Sequence, residues 1–250
     1  MAEEKTRVLV AGAAGRMGRE VVRAVSAEPD MEVVAPLERG DDLADALRAA
    51  RPDVMVDFTV PESVMGNVRA ALRAGVVPLV GTTGIQEADL AELRALCDET
   101  GTACLIAPNF AIGAVLLMRF AREAARYMPD VEVIEMHHER KLDAPSGTAL
   151  RTAEMIAEGR TGAPLPAPSG AFETAPGARG GRAPAGDIPV HSVRLPGFVA
   201  SQEVIFGAPG QRLSLRHDSI DRASFMPGVV LAVRRARDLR GLVYGLENLL

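Results

Sequence analysis

Between Arg7 and Ala107 the chain switches repeatedly between two periods, and that alternation limits the fold more than any other feature. RVLVAG (7–12), MEVVAPL (31–37), DVMVDF (53–58), VVPLVG (76–81) and TACLIA (102–107) are apolar runs of strand length. Between them lie helical repeats: Met17, Val21, Val22 and Val25; DLADALRAA (42–50), stopped by Pro52; Val64, Met65, Val68 and Leu72, closing at Gly75; and Leu90, Leu93 and Leu96. Parallel strands need long crossover connections, and helices of about 10–15 residues supply them. The expected class is α/β, with a Rossmann-like doubly wound parallel sheet.

After Ala107 the pattern changes. A helix is expected from about Ile112 to Tyr127, with Leu116, Phe120, Ala124 and Tyr127 along one face. VEVIEMH (131–137) reads as a strand and LRTAEMIAEG (150–159) as a helix with a Gly stop. Residues 159–187 are dense in Gly and Pro and read as a long surface loop. PVHSVRL (189–195), SQEVIFG (201–207) and QRLSLRH (211–217) are strand-like with no helix between them, so their sheet is at least partly antiparallel. An apolar helix at about 226–236 and a short terminal segment follow. The expected division is a dinucleotide-binding domain of residues 1–109 and 217–250, and a smaller α+β domain with a mixed sheet, 110–216.

Composition excludes several functions. Among 250 residues there is no Trp, aromatics are 4%, and the net charge is −5, so neither a stacking platform nor a basic face for nucleic acid is expected. No run reaches the roughly 18 apolar residues of a membrane span, and the start, MAEEKTR, lacks the apolar core of a targeting segment. Cys97 and Cys104 fall in apolar helix and strand patterns and read as buried, reduced thiols. The expected compartment is the cytoplasm.

Gly12-Ala13-Ala14-Gly15-Arg16-Met17-Gly18 follows the first strand and opens the first helix. Small residues there let backbone N–H groups approach a pyrophosphate at a helix N-terminus. The spacing is G-x-x-G-x-x-G, and the position after a strand strengthens a motif that alone is weak. Glu38 ends the second strand 20 positions after Gly18, where an acid suits the ribose hydroxyls. Arg39 beside it suits a 2′-phosphate. The expected cofactor is NADPH, NADH or both. Gly81-Thr82-Thr83 and Ala107-Pro108-Asn109-Phe110 also leave strand ends on the ligand-binding side of such a sheet.

EMHHERKLDAPSGTAL (135–150) concentrates the remaining chemistry. Successive strand residues face opposite ways, so His137 and His138 do not share a metal, and no third ligand of suitable spacing accompanies them. No metal site is expected. A histidine at a strand end is a natural proton donor near neutral pH, and Lys141 adds a cation. Ser146, Gly147 and Thr148 open a helix whose N-terminus suits a carboxylate. Together they suggest a site for a carboxylate substrate that must be protonated. His191 and His217 lie inside strand patterns and are expected to be structural.

That segment, with GAAGRMG, VDFTVPES, GTTG and APNFAIG, resembles the 4-hydroxy-tetrahydrodipicolinate (dihydrodipicolinate) reductase family of lysine and diaminopimelate synthesis, across essentially the whole chain. The resemblance implies cofactor contacts at Gly12 to Met17, Glu38, Arg39, Gly81 to Thr83 and Ala107 to Phe110. It implies His137 as proton donor, Lys141 as the catalytic lysine that engages substrate and assists protonation, and His138, Gly147 and Thr148 as substrate-binding positions. It also implies a homotetramer assembled through the second-domain sheet. The segment between Glu38 and Asp57 is shorter than in longer members, which implies a missing strand near the adenine pocket. Two other readings compete. A dehydrogenase with a covalent cysteine intermediate needs an exposed thiolate, which Cys97 and Cys104 are poorly placed to provide. A non-catalytic NAD(P)-binding regulator leaves the His-Lys-Ser-Gly-Thr cluster without a use.

Overall fold

A computed structural model describes residues 5–250. Met1–Glu4, part of the segment read for targeting, lie outside the described residues. The described residues form two compact units, 5–112 with 222–250, and 113–221. These boundaries fall a few residues beyond the 109/110 and 216/217 positions read from sequence.

The first unit runs β1 (Thr6–Ala11), α1 (Arg16–Ala27), β2 (Met31–Leu37), α2 (Leu43–Ala50), β3 (Val54–Asp57), α3 (Pro61–Arg73), β4 (Val77–Val80), α4 (Glu87–Thr100) and β5 (Cys104–Ile106). The second unit contributes most of α5 (Ile112–Ala124), then β6 (Asp130–His137), α6 (Gly147–Gly159), β7 (Gly181–Arg182), β8 (Pro189–Arg194), β9 (Ala200–Ala208) and β10 (Gln211–Ser219). The chain closes the first unit with α7 (Met226–Arg235) and β11 (Leu242–Tyr244).

The first sheet has the order β11-β5-β4-β3-β1-β2, and every neighbouring pair is parallel. From β1 the chain first moves to β2 at one edge and then returns to β3 on the other side. Strand order therefore reverses between β1 and β3, and a crevice opens there at the carboxyl ends of the strands. Val8, Leu9, Val10, Val54, Met55 and Val56 are fully buried, as a sheet covered on both faces requires. Leu47 and Ala71 pack with Leu9 and Met55, and Leu93 and Cys97 pack with Val80 and Cys104. α1 and α7 pack on each other. The segment between Glu38 and Asp57 holds only a turn, α2 and β3, so β2 remains an edge strand. The terminal segment, which has only a short apolar signal, supplies the opposite edge through β11 pairing with β5.

The second sheet has the order β10-β9-β6-β8-β7. It is mixed: β6 and β8 are parallel, whereas β9 is antiparallel to both β6 and β10. One face carries Val131, Val133, Val190, Val204 and Phe206, covered by Leu117 and Ala121 of α5 and by Ala149, Ala153 and Ile156 of α6. The other face mixes half-buried Ile134 and Ile205 with the ion pairs Glu132–His191 and Glu203–Arg216. Two expectations fail here. α5 ends at Ala124, and it buries Ala114, Val115, Leu117, Met118 and Ala121 rather than the Leu116–Tyr127 stripe; Phe120 and Tyr127 are 56% and 77% exposed. The helix carries two apolar stripes, and periodicity alone does not choose between them. The alanine-rich stripe lets the helix lie closer to the sheet. The 159–187 loop is also not wholly irregular, since β7 pairs with β8 inside it. Among the described residues no helix is long and apolar enough to cross a membrane.

Candidate functional site

In the first unit, the turn after β1 is shaped by contacts that leave no room for side chains. Gly12 has φ +82°, and a Cβ on it would lie 2.6 Å from the Phe58 carbonyl oxygen. A Cβ on Gly18 would lie 2.1 Å from the Gly12 carbonyl oxygen. The first turn of α1 is thus pressed directly against the end of β1. The N–H groups of Gly12 and Ala13 both donate to the Leu37 carbonyl, at 3.1 and 2.8 Å, and that of Gly15 donates to Gly12. The first two amides fasten the turn to β2 and the third closes it on itself, whereas the start of α1 has no side-chain cap and no acid in its first turn. Small residues and an uncapped helix start fit a dinucleotide pyrophosphate.

A cleft of about 520 Å³ opens beside this turn. Of the sequence-predicted residues it brings together Gly12, Ala14, Gly15, Glu38 and Arg39. Ala13 is buried behind the turn, and Arg16 is exposed. The cleft is also lined by Phe58, Thr59 and Val60, which sequence reasoning did not single out. The available signal was positional, since these residues follow β3 just as Gly12 follows β1.

The 81–83 loop is bound into the wall of this unit. Asp57, fully buried, accepts hydrogen bonds from the Thr59 N–H (3.0 Å), the Thr59 hydroxyl (2.7 Å), Asn67 Nδ2 (2.8 Å) and the Thr82 hydroxyl (2.6 Å). Thr82 Oγ1 also accepts from the Thr59 N–H at 2.7 Å. Its hydroxyl therefore joins the loops after β3 and β4, while Thr83 next to it is exposed. Gly81 is required because a Cβ there would enter the Phe58 ring. Phe110 is 2% exposed and stacks obliquely on Phe58, ring centroids 5.7 Å apart. Asn109 Oδ1 accepts from the Ala111 N–H at 2.7 Å and shapes the Ala107–Phe110 turn. Cys97 and Cys104 are free and buried. The hydrogen bond between them, together with burial, pushes the Cys104 thiol up while it lowers Cys97, and burial keeps both from resembling an exposed nucleophile.

In the second unit, β6 delivers His137 on its last residue, and the alternation that buries Val131 and Val133 puts Glu135 on the same side. Glu135 is fully buried. Its Oε2 lies 2.5 Å from His137 Nδ1, and Arg194 of β8 reaches both carboxylate oxygens, at 2.9 and 2.8 Å. The Ser146 N–H donates to Oε1 at 3.3 Å. Burial raises the Glu135 pKa, but hydrogen bonds from His137, Arg194 and Ser192 outweigh it and hold the carboxyl at about 2. Glu135 and Arg194 were both missed as site residues. The signal was an acid two places before His137 on a half-buried strand, where an unpaired carboxylate is too costly to keep.

β6 ends at His137, and a turn follows in which the Lys141 N–H donates to the His138 carbonyl at 3.2 Å. His138 Nδ1 accepts from the Arg140 N–H at 3.2 Å. Lys141 Nζ contacts both oxygens of Asp143, at 2.7 and 2.8 Å, and Arg194 Nη2 donates to the Asp143 carbonyl at 2.7 Å. Arg194 therefore pins this turn to the sheet. Ser146 caps α6 by accepting from the Ala149 N–H at 3.2 Å, which starts the helix at Gly147, within the expected Ser146–Thr148 opening. The space around Gly147 is open. His137, Lys141, Ser146, Gly147 and Thr148 thus belong to one connected turn. Chemically it offers a buried carboxylate–imidazole pair, an ammonium and a helix N-terminus, a set suited to holding an anion and passing a proton.

The family model for the N-terminal part of dihydrodipicolinate reductase matches residues 6–110, and that for its C-terminal part matches residues 113–250. A 4-hydroxy-tetrahydrodipicolinate reductase of Desulfitobacterium hafniense (strain DSM 10664 / DCB-2) is 51% identical over 268 aligned positions, spanning 99% of each chain. One of Moorella thermoacetica is 50% identical over 264 positions, spanning 98% of this chain and 97% of the relative. The solved structure of dipicolinate-bound dihydrodipicolinate reductase from Paenisporosarcina sp. TG-14 matches at a TM-score of 0.86 and 43% identity, over 98% of this chain and 100% of that one.

Proposed function

The chain belongs to the dihydrodipicolinate reductase family, and we propose that it reduces 4-hydroxy-tetrahydrodipicolinate to tetrahydrodipicolinate, with loss of water, in lysine and diaminopimelate synthesis in the cytoplasm. The observation that carries this reading is the single turn joining His137, Lys141 and the Ser146-capped start of α6 to a buried carboxylate. Such a site serves a small dicarboxylate that must gain a proton.

The turn after β1 and the first amides of α1 would hold the pyrophosphate of NADPH or NADH. Glu38 and Arg39 in the cleft wall would meet the adenine ribose, the acid suiting a free hydroxyl and the guanidinium a 2′-phosphate. When bound, the reduced nicotinamide supplies a hydride, here assigned to C4 of the substrate ring. The protein's own residues do the rest. The amides of Gly147 and Thr148 at the start of α6 bind one carboxylate, and His138 is assigned a further substrate contact. Lys141 holds the substrate, and to do so its ammonium exchanges the Asp143 carboxylate for one on the ligand. His137 supplies the proton that balances the hydride. The mixed face of the second sheet, with Ile134 and Ile205 among ion pairs, supports assembly into a homotetramer through that sheet.

The test is His137→Gln and Lys141→Ala, assayed with freshly made substrate by following NADPH and NADH oxidation in parallel. Turnover should fall by about 10²- to 10⁴-fold, the usual contribution of a positioned acid, while NADPH affinity stays near wild type. Full activity in both variants would overturn the assignment of these residues, and a wild-type enzyme inert toward the substrate would overturn the activity itself.

A further inference from the structure

We propose that Glu135 is a positioning residue for His137: it accepts the Nδ1 proton, fixes the ring, and leaves Nε2 as the atom that delivers a proton to substrate. This rests on the proposed reductase reading and adds to it the identity of the donating nitrogen and the group that selects it. Three observations carry it.

The first is geometry. His137 Nδ1 lies 2.5 Å from Glu135 Oε2, and the two residues share one face of β6 through its two-residue alternation. An ionised carboxylate only accepts hydrogen bonds, so at this contact the ring nitrogen must carry the proton. The second is restraint of the carboxylate itself. Arg194 clamps both oxygens from β8, and the Ser146 amide holds Oε1. Bidentate guanidinium–carboxylate pairing fixes the plane as well as the position of the acid, so Glu135 neither rotates away nor takes up the proton it holds in place. The third is burial: Glu135 is fully buried, while the His137 side chain keeps 14% exposure. The carboxylate that holds Nδ1 is thus closed off from solvent, while the imidazole keeps limited access to it.

The proton balance is simple. The Nε2–H bond of the imidazolium breaks, and the proton passes to the reduced ring of the substrate. The electron pair of that bond stays on Nε2, and the neutral ring keeps its other proton on Nδ1 against Glu135. Solvent then reprotonates Nε2. Without the carboxylate the neutral ring divides between two tautomers and two orientations, and only one of them is refilled at the productive nitrogen.

Long-range ¹H–¹⁵N spectra of ¹⁵N-histidine-labelled full-length protein test this directly. The chain has four histidines, and His137→Gln assigns the signal. At about pH 9, where histidine is ordinarily neutral, His137 should carry its proton on Nδ1; a neutral ring protonated on Nε2 overturns the proposal without any variant. In parallel, Glu135→Gln should lose about 10- to 100-fold in kcat. Its KM and NADPH affinity should stay within about twofold, a split that general loosening of the fold would not produce. A folded Glu135→Gln enzyme with wild-type kcat overturns the proposal; if this variant does not fold, the wild-type spectrum decides alone. Failure of the reductase reading is separately visible as a wild-type enzyme inert toward the substrate, whatever its tautomer.

Discussion

Replacing Arg194 by Met keeps much of the side-chain volume and removes the cation that clamps Glu135. In the wild type the Glu135 carboxyl lies at about 2 against an ordinary 4.5. A folded-state value held low contributes stability that is fully present above the unfolded value and is lost as pH falls from about 4.5 toward 2. At neutral pH the gap corresponds to about 3 kcal/mol. In Arg194→Met, burial still acts to raise the carboxyl, and one of the hydrogen-bonding partners that opposed it is gone. The variant also loses the bond to the Asp143 carbonyl. A buried charge stripped of its partner costs about 3–5 kcal/mol, so we expect a loss of that size near pH 7. Near pH 4 the unfolded Glu135 is largely protonated, the wild type has given up about 1 kcal/mol of its advantage, and the difference narrows because the variant, whose carboxyl is held less low, loses less. Urea unfolding of both proteins at one fixed chain concentration, followed by circular dichroism across this pH range, measures it. A loss below about 1 kcal/mol, or one of equal size at both pH values, would refute the view that Arg194 keeps a buried carboxylate ionised.

Three further variants address the remaining parts of the site. Asp143→Asn frees Lys141 from a solvent-facing pair of at most about 1 kcal/mol, so KM for the dicarboxylate should fall about two- to fivefold at unchanged kcat; an unchanged or higher KM would show that Asp143 does not compete with substrate. Gly18→Ala drives a Cβ to 2.1 Å from the Gly12 carbonyl oxygen, an atom of fixed backbone. It should cost about 1–3 kcal/mol of stability and weaken NADPH binding at least about tenfold, which fluorescence titration will report. Gly147→Ala, built in open space, should leave NADPH binding untouched, and equal losses in both variants would mean that the phosphate turn is not the discriminating feature.

The alternation of strand and helix periods from Arg7 to Ala107 was sufficient to anticipate the parallel sheet, because crossovers of that length permit little else. The glycine turn, Glu38 and Arg39 stood out as candidates for a related reason: they follow strand ends, strand ends are marked in the chain, and the structure places them around one cleft. His137, Lys141 and Ser146–Thr148 stood out as a candidate cluster because they lie within one short segment. The apolar stripe of α5 was misread because two stripes of similar hydropathy compete on that helix. The choice between them depends on the shape of the sheet beneath, which no local window contains.

What required the tertiary structure is the set of partners that arrive from elsewhere in the chain. Arg194 lies 59 residues from Glu135 and meets it only because β8 pairs in parallel with β6. Thr82 lies 25 residues from Asp57 and reaches it only because β3 and β4 are neighbours. β11, three residues at the far end of the chain, becomes part of the first sheet through pairing with β5. The sequence alone therefore determined the two folding patterns and the reactive groups, whose identity and spacing are local properties. The tertiary structure decided which of those groups are held and by what, because burial and hydrogen bonding are properties of neighbours in space.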